Sequence, residues 1–77
     1  MIGYIYPSKF GTFSIFPDGT GRWRLELGGR YLAIHASAEL AANSVFECAS
    51  GDIDWDAQGS VEAPNGLDQW QATRTKP

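Results

Sequence analysis

Apolar and polar residues alternate along the first half of the chain, as is typical of antiparallel strands. Residues 11–16, GTFSIF, are rich in β-branched and aromatic types, and the PDGTG that follows carries the residue types of a tight turn. Residues 22–35, RWRLELGGRYLAIH, alternate on both sides of Gly28 and Gly29, which can supply the positive φ angles of a type I′ turn. The pattern predicts a three-stranded antiparallel β-meander over about residues 10–35.

The position of the two glycines also predicts the register of the second hairpin. The predicted cross-strand pairs are Leu27–Arg30, Leu25–Leu32 and Trp23–Ile34. These pairs place large apolar side chains on one face of the sheet. The other face is predicted to carry Arg22, Arg24, Glu26, Tyr31, Ala33 and His35. Such a mixed face is typical of an antiparallel sheet that is covered on one side only.

The apolar period changes to three and four residues after Ser37, which is a good N-cap. Glu39 lies in the first turn, where the helix dipole favours an anion, and Gly51 can end the helix. The pattern predicts one α-helix over about residues 38–49, packed on the Trp23 face of the sheet. Cys48 lies on the apolar stripe, so we expect a small buried side chain and not a reactive thiol.

The remaining residues predict little regular structure. Glycine, proline and asparagine residues interrupt the acidic segment 50–70, and residues 71–77 are expected to fray. Within this segment, Leu67 and Trp70 have the spacing of one helical turn that folds back onto the core. Whether residues 1–9 add a strand stays open. The predicted fold is therefore a single α+β domain, with one helix on one face of a meander and an irregular C-terminal tail.

The stretch SGDIDWD, residues 50–56, alternates once more. We expect Ile53 and Trp55 to point inward and the three aspartates between and beside them to point outward. As a calcium loop the stretch fails, because alanine stands where the loop needs glycine at its sixth position and glutamate at its twelfth. One cysteine and one histidine cannot complete a zinc site without carboxylates. We predict no metal and no cofactor.

Size and composition limit the function further. The chain has 77 residues, 43% apolar and 19% charged, which is an ordinary mixture for one small domain with a thin core. A single cysteine excludes an intrachain disulfide, and no apolar run approaches the roughly 20 residues of a membrane span. The N-terminal sequence does not have the pattern of a signal peptide, so we expect a cytoplasmic protein without membrane association.

Catalytic groups are sparse. His35 is the only histidine, and at a strand end opposite Arg22 a surface or capping role is favoured over general-base catalysis. Asp52 and Asp54 could form an acid pair, but a domain of this size offers them no evident pocket. The glycine-rich stretches lie in predicted hairpin turns and not before a helix, where phosphate-binding loops occur. We predict a protein that is not an enzyme and has no catalytic residues.

Charge is distributed unevenly within the net charge of −3. Residues 1–35 hold four lysines and arginines against two acids, whereas residues 36–77 hold two against seven. The acidic half can be a solvated surface that keeps the protein soluble, or a surface that binds a basic partner. The candidate partner-binding residues are Asp52, Asp54, Asp56, Glu62 and Asp68.

An alternative site lies on the predicted open face of the sheet. Arg22, Arg24 and Tyr31 could follow a nucleic-acid backbone and stack on a base. The acidic total opposes this interpretation, since most such proteins carry a basic stripe, and we expect no direct nucleic-acid binding. The same face could instead contact an acidic or aromatic protein surface, or pair with a second copy in a homodimer.

Several motifs carry a resemblance to known proteins. GTFSI, GRWRLEL, GRYLA, SAELAANSV, SGDIDWD and the terminal pattern Pro64-x-x-Leu67-x-x-Trp70 resemble a family of short bacterial and prophage-encoded proteins, generally uncharacterised. The resemblance covers roughly residues 11–70 and implies a β-meander followed by an Ala-rich helix. The chain departs from the family at Ser50, where threonine is frequent, and at His35, where an aromatic is frequent.

In size, charge and lack of catalytic groups the chain is also similar to anti-CRISPR proteins, the small phage-encoded inhibitors of bacterial CRISPR systems. This likeness implies an inhibitor of a host defence complex, whose acidic face imitates nucleic acid and binds the basic, nucleic-acid-binding surface of a protein partner. The alternative that stays open is an interaction or dimerisation domain with a merely solvated acidic face.

Overall fold

The computed structural model of the chain describes residues 2–58 and 66–74, which form an α+β fold. One antiparallel sheet has the strand order β4-β3-β2-β1-β5. The strands are β1 Gly3–Ser8, β2 Gly11–Pro17, β3 Trp23–Leu27, β4 Arg30–His35 and β5 Gln71–Thr73. The helical elements are α1 Ala38–Phe46, α2 Ile53–Asp56 and a 3-10 turn Leu67–Gln69. No helix among the described residues is long and apolar enough to cross a membrane.

The sheet has five strands and not the three that the sequence predicts. The open question about residues 1–9 is answered by β1, which pairs with β2. Residues 71–73, expected to fray, form β5 and pair with residues 3–5 of β1. An uncovered β1 edge would leave a row of backbone donors and acceptors unpaired, and β5 supplies partners for part of it. The prediction for residues 75–77 lies outside the described residues.

The hairpin of β3 and β4 is confirmed, together with the predicted pair Leu27–Arg30, but the predicted pairs Leu25–Leu32 and Trp23–Ile34 are wrong. Gly28 and Gly29 have φ angles of 60° and 86°, as a type I′ turn requires. A bulge at Leu25/Glu26 then shifts the pairing by one residue. The observed pairs are Leu27–Arg30, Glu26–Tyr31, Leu25–Ala33, Arg24–Ile34 and Trp23–His35. A bulge inserts one extra residue and bends the strand, and here Leu32 is the extra residue and packs against the core.

Helix α1 begins where the sequence predicts and ends earlier. The Ser37 Oγ accepts a hydrogen bond from the Leu40 N–H at 3.1 Å, which confirms the N-cap. The helix ends at Phe46, and Cys48, not Gly51, takes the left-handed conformation after it with φ 58°. The Cys48 N–H donates to the Val45 carbonyl and the Ala49 N–H to the Ser44 carbonyl, the hydrogen bonds of a Schellman motif. Cys48 is therefore a half-buried residue beyond the helix and does not lie on its buried stripe.

The core lies between one face of the sheet and the helical elements. Its centre is aromatic: the rings of Phe13 and Trp55 are 4.8 Å apart and nearly perpendicular. The Trp55 Nε1 donates to the Val45 carbonyl at 2.8 Å, which links α2 to the end of α1. Trp70 is also buried, after a 3-10 turn at Leu67–Gln69, so the predicted helical turn that folds onto the core is confirmed.

Candidate partner-binding surface

Asp52 does not point outward as predicted. It is the N-cap of α2, and its Oδ2 accepts a hydrogen bond from the Trp55 N–H at 2.9 Å. The same carboxylate pairs with the Arg30 guanidinium at the tip of the β3–β4 hairpin, and only 5% of the residue is exposed. The sequence places no cation near Asp52, but the fold brings one from 22 residues away. Asp52 is a structural residue that joins α2 to the sheet.

The Asp56 carboxylate also accepts hydrogen bonds from within the protein. Its Oδ1 accepts hydrogen bonds from the Ser50 N–H at 2.9 Å and from the Ser50 Oγ–H at 2.8 Å. Its Oδ2 accepts from the Gly51 N–H at 3.0 Å. Three donors converge on one carboxylate, which closes the loop between α1 and α2. The prediction that Asp56 belongs to an outward row of acids is therefore wrong.

The remaining residues of α2 explain why the alternating pattern gave wrong side-chain directions for residues 52–56. Ile53, predicted to point inward, is 84% exposed, whereas Trp55 is buried as predicted. Residues 53–56 form a helical turn, in which each residue is rotated by about 100° from the last and positions three or four apart share a side. Position 52 therefore lies on the same side as 55 and 56, and Ile53 and Asp54 face solvent. Of the three aspartates, Asp54 alone is exposed.

The two other acids of the predicted surface are Asp68 and Glu62. Asp68 is exposed on the 3-10 turn, and Glu62 lies outside the described residues. Two further exposed acids, Glu39 and Glu47, lie at the two ends of α1, and sequence reasoning had assigned Glu39 to the helix dipole only. The exposed acids of the described helical elements and their connections are Glu39, Glu47, Asp54 and Asp68.

Charge is thus segregated between the two layers of the fold. We call residues 36–58 and 66–70 the helical layer; it contains six carboxylates and no lysine or arginine. The strands and turns of the sheet, residues 2–35 and 71–74, contain five lysines and arginines against two acids. The sequence shows this segregation along the chain, and in the fold most of the acids lie on the helical layer, where Arg30 of the β3–β4 turn pairs with Asp52.

A groove separates α1 from the 3-10 turn. Its volume is about 560 Å³, and it is lined by Tyr4, Glu39, Asn43, Gly66, Leu67 and Asp68. The Asp68 carboxylate lies close to the Gly66 backbone, since a Cβ at Gly66 would be 2.8 Å from the Asp68 Oδ1. The groove is thus lined by two acidic residues, Glu39 and Asp68, together with Tyr4 and Leu67. Sequence reasoning missed it because its walls come from elements at least 21 residues apart in the chain.

The open face of the sheet brings together two of the three residues predicted there. The Arg24 Nε is 2.6 Å from the Glu26 Oε2, and the guanidinium lies 4.7 Å from the centre of the Tyr31 ring. Glu26 is only 3% exposed and lies beneath Arg24. Its carboxylate therefore neutralises most of the Arg24 charge. Arg22 is exposed in the turn before β3. The predicted places of Ala33 and His35 on this face are wrong, because the bulge turns them toward α1.

His35 lies at the end of β4, beside helix α1. Its Nε2 is 3.5 Å from the Ser44 Oγ, but the Ser44 hydroxyl donates to the Ala41 carbonyl at 2.7 Å. Burial lowers the pKa of His35, because the charged imidazolium is poorly solvated there. Within residues 2–58 and 66–74, no three histidine, cysteine, aspartate or glutamate side chains converge as a metal site would require.

Comparison of the chain with protein-family models, with curated proteins and with solved structures finds no match.

Proposed function

We propose that the chain is a small, non-enzymatic protein-binding module that contacts a basic partner surface through its helical layer. The observation that carries this proposal is the segregation of charge between the two layers of the fold. Four exposed carboxylates lie on the helical layer, which has no lysine or arginine among its described residues. A surface of one sign steers a partner of opposite sign and raises the association rate.

The proposed surface still binds a basic partner through carboxylates, but its residues differ from those that the sequence predicts. Asp54 and Asp68 stay in the proposed surface, and Glu39 and Glu47 join them. Asp52 and Asp56 leave it, because their oxygens accept hydrogen bonds from the protein's own backbone and side chains. The surface therefore has no row of regularly spaced aspartates that would imitate consecutive phosphates. Its acids are spread over α1, α2 and the 3-10 turn.

A more specific role agrees with the likeness to anti-CRISPR proteins. In this role the module is an inhibitor encoded by a phage or mobile element, and it occupies the basic nucleic-acid-binding surface of a host defence complex. Binding of this kind needs no catalytic group and no cofactor. Its affinity arises from complementary charge and should fall as salt rises, because exposed charges are screened beyond about 8–10 Å at physiological ionic strength.

A second candidate is an interaction or dimerisation domain that uses the open sheet face. Tyr31 is 49% exposed there and stacks with Arg24, and tyrosine and arginine are enriched at the centres of protein interfaces. Direct nucleic-acid binding by this face is less favoured, since Glu26 already neutralises Arg24. The two candidates differ in which layer carries the contacts, and this difference can be tested.

The test compares charge-neutralised variants of the two layers. The helical-layer variant carries Glu39→Gln, Glu47→Gln, Asp54→Asn and Asp68→Asn, and the sheet-face control carries Arg22→Gln, Arg24→Gln and Tyr31→Ser. A partner is captured from bacterial lysate on the wild-type protein and purified, and its affinity for each protein is measured at two salt concentrations. We expect the helical-layer variant to lose at least tenfold in affinity and most of the salt dependence. Loss in the sheet-face control alone would transfer the function to the open face.

A further inference from the structure

We infer that the groove between α1 and the 3-10 turn receives an arginine side chain from a basic segment of the protein partner. The inference rests on the proposed function and deepens it, because it names the place on the helical layer where recognition is specific. The inference rests on the groove and on the acidic and aromatic residues that line it.

The walls of the groove come from three separate elements. Glu39 and Asn43 lie four residues apart on α1 and therefore project from the same side of the helix. Asp68 faces them from the 3-10 turn, and Tyr4 contributes an aromatic ring from β1. Side chains on rigid strands and helices hold their positions better than side chains on loops. Tyr4 is fixed further by its contact with Trp23, whose ring centre is 6.2 Å away.

Within residues 2–58 and 66–74, neither carboxylate of the groove has a cationic partner. Among the described residues, the ion pairs of the chain join Arg24 to Glu26 and Arg30 to Asp52, both outside the groove. Glu39 and Asp68 are exposed and flank a concave surface in a layer without lysine or arginine. A cation from a partner would therefore meet two negative charges in one cleft, and concave sites concentrate the field of such charges.

The chemistry of the lining fits arginine better than lysine. A guanidinium is planar, presents five N–H donors and can form two parallel hydrogen bonds to one carboxylate. It also stacks on an aromatic face, which the Tyr4 ring can provide, and the Asn43 amide oxygen is an additional acceptor. An ammonium group is a compact point charge and uses fewer of these features.

The size of the groove indicates that the arginine enters as part of a segment. Its volume of about 560 Å³ falls within the range of roughly 300–1,000 Å³ that is usual for ligand sites. One side chain leaves much of that space empty, so neighbouring residues of the partner would lie along Leu67 and Gly66.

The experiment measures binding of three labelled synthetic peptides by fluorescence anisotropy. Each peptide has the form acetyl-Gly-Gly-X-Gly-X-Gly-amide, where X is arginine, lysine or glutamine. We expect the arginine peptide to bind at least threefold more tightly than the lysine peptide, and the glutamine peptide not to bind. In NMR spectra of the protein, the arginine peptide should shift the backbone amides of Tyr4, Asn43 and Asp68.

Matched variants separate the groove from the general charge of the layer. Glu39→Gln and Asp68→Asn each remove one charge from the groove, whereas Glu47→Gln and Asp54→Asn remove one charge from the same layer outside it. Each groove variant should bind the arginine peptide about tenfold more weakly than the wild type does. Each outer variant should lose less than about twofold in affinity. Thermal melts confirm that all four variants are folded.

The possible failures are distinct. Equal losses in all four variants would overturn the groove as the recognition site and leave the acidic layer as the binding surface. An arginine peptide that does not bind at millimolar concentration, or that binds no better than lysine, would overturn the assignment of arginine. If the captured partner bound the helical-layer variant as tightly as the wild type, the proposed function itself would be wrong.

Discussion

Two five-residue stretches of this chain look alike and fold differently. WRLEL, residues 23–27, and DIDWD, residues 52–56, both alternate apolar and charged side chains. The first is strand β3, in which Leu25 and Leu27 are buried on the core side of the sheet. The second is an N-cap followed by the helical turn α2, in which Ile53 is exposed and the acids at both ends accept internal hydrogen bonds.

The difference teaches that alternation specifies a strand only where a neighbouring strand is available. Residues 23–27 are followed by the Gly28–Gly29 turn and a second alternating run, so the backbone of WRLEL finds partners on both sides. Residues 52–56 have no such partner nearby in sequence. Their backbone groups are satisfied locally, because aspartate is a strong N-cap and its side chain competes with sheet hydrogen bonding.

The largest expected effect concerns the tryptophan of each stretch. Trp55→Ala should lower the free energy of unfolding by about 3–5 kcal/mol, because Trp55 is 3% exposed, packs on Phe13 and donates to the Val45 carbonyl. Trp23→Ala should lower it by less than half as much, since Trp23 is only half-buried. Urea or thermal unfolding of the two variants gives the comparison. A greater loss in Trp23→Ala would mean that Trp23, and not Trp55, anchors the core.

The second effect concerns the acids within DIDWD. Asp56→Asn should cost about 1.5–3 kcal/mol, because an amide cannot accept from the Ser50 N–H, the Ser50 hydroxyl and the Gly51 N–H at once. Asp54→Asn makes the same change in charge at an exposed position and should stay within about 0.5 kcal/mol of the wild type. Thermal melts at neutral pH measure both. Identical melting temperatures would mean that the Asp56 hydrogen bonds contribute nothing to stability.

The smallest effect concerns the apolar residue of DIDWD. Ile53→Gln should change the free energy of unfolding by less than about 0.5 kcal/mol, because the side chain is 84% exposed. Leu25→Gln, at a fully buried apolar position of WRLEL, should unfold the protein or nearly so, since it buries an amide in the core. Circular dichroism of both variants decides the point. A marked loss in Ile53→Gln would show that residues 52–56 form a strand after all.

The candidate surface was predictable in its charge and not in its residues. The excess of acids after residue 35 is evident in the sequence, and it becomes the charge of the helical layer. Asp54 and Asp68 were placed at the surface correctly. The internal roles of Asp52 and Asp56 could not be foreseen, because they depend on Arg30 from a distant hairpin and on the Ser50–Gly51 backbone in its folded conformation.

Local features of the sequence determined the elements whose interactions are short in range. The paired glycines give the β3–β4 turn its positive φ angles, Ser37 caps α1, and the spacing of Leu67 and Trp70 forms a helical turn. Each of these depends on residues within four positions of one another, so steric preference and nearby hydrogen bonds are sufficient to specify it.

Tertiary structure alone decided the features that join distant residues. Strand β5 exists because the chain after Trp70 meets the uncovered edge of β1, and the bulge in β4 exists in a hairpin that packs Leu32 against the core. The groove and the pair of Arg30 with Asp52 likewise need three-dimensional neighbours. Their stability comes from burial and from backbone partners supplied by other elements, and neither can be read from a local pattern of residues.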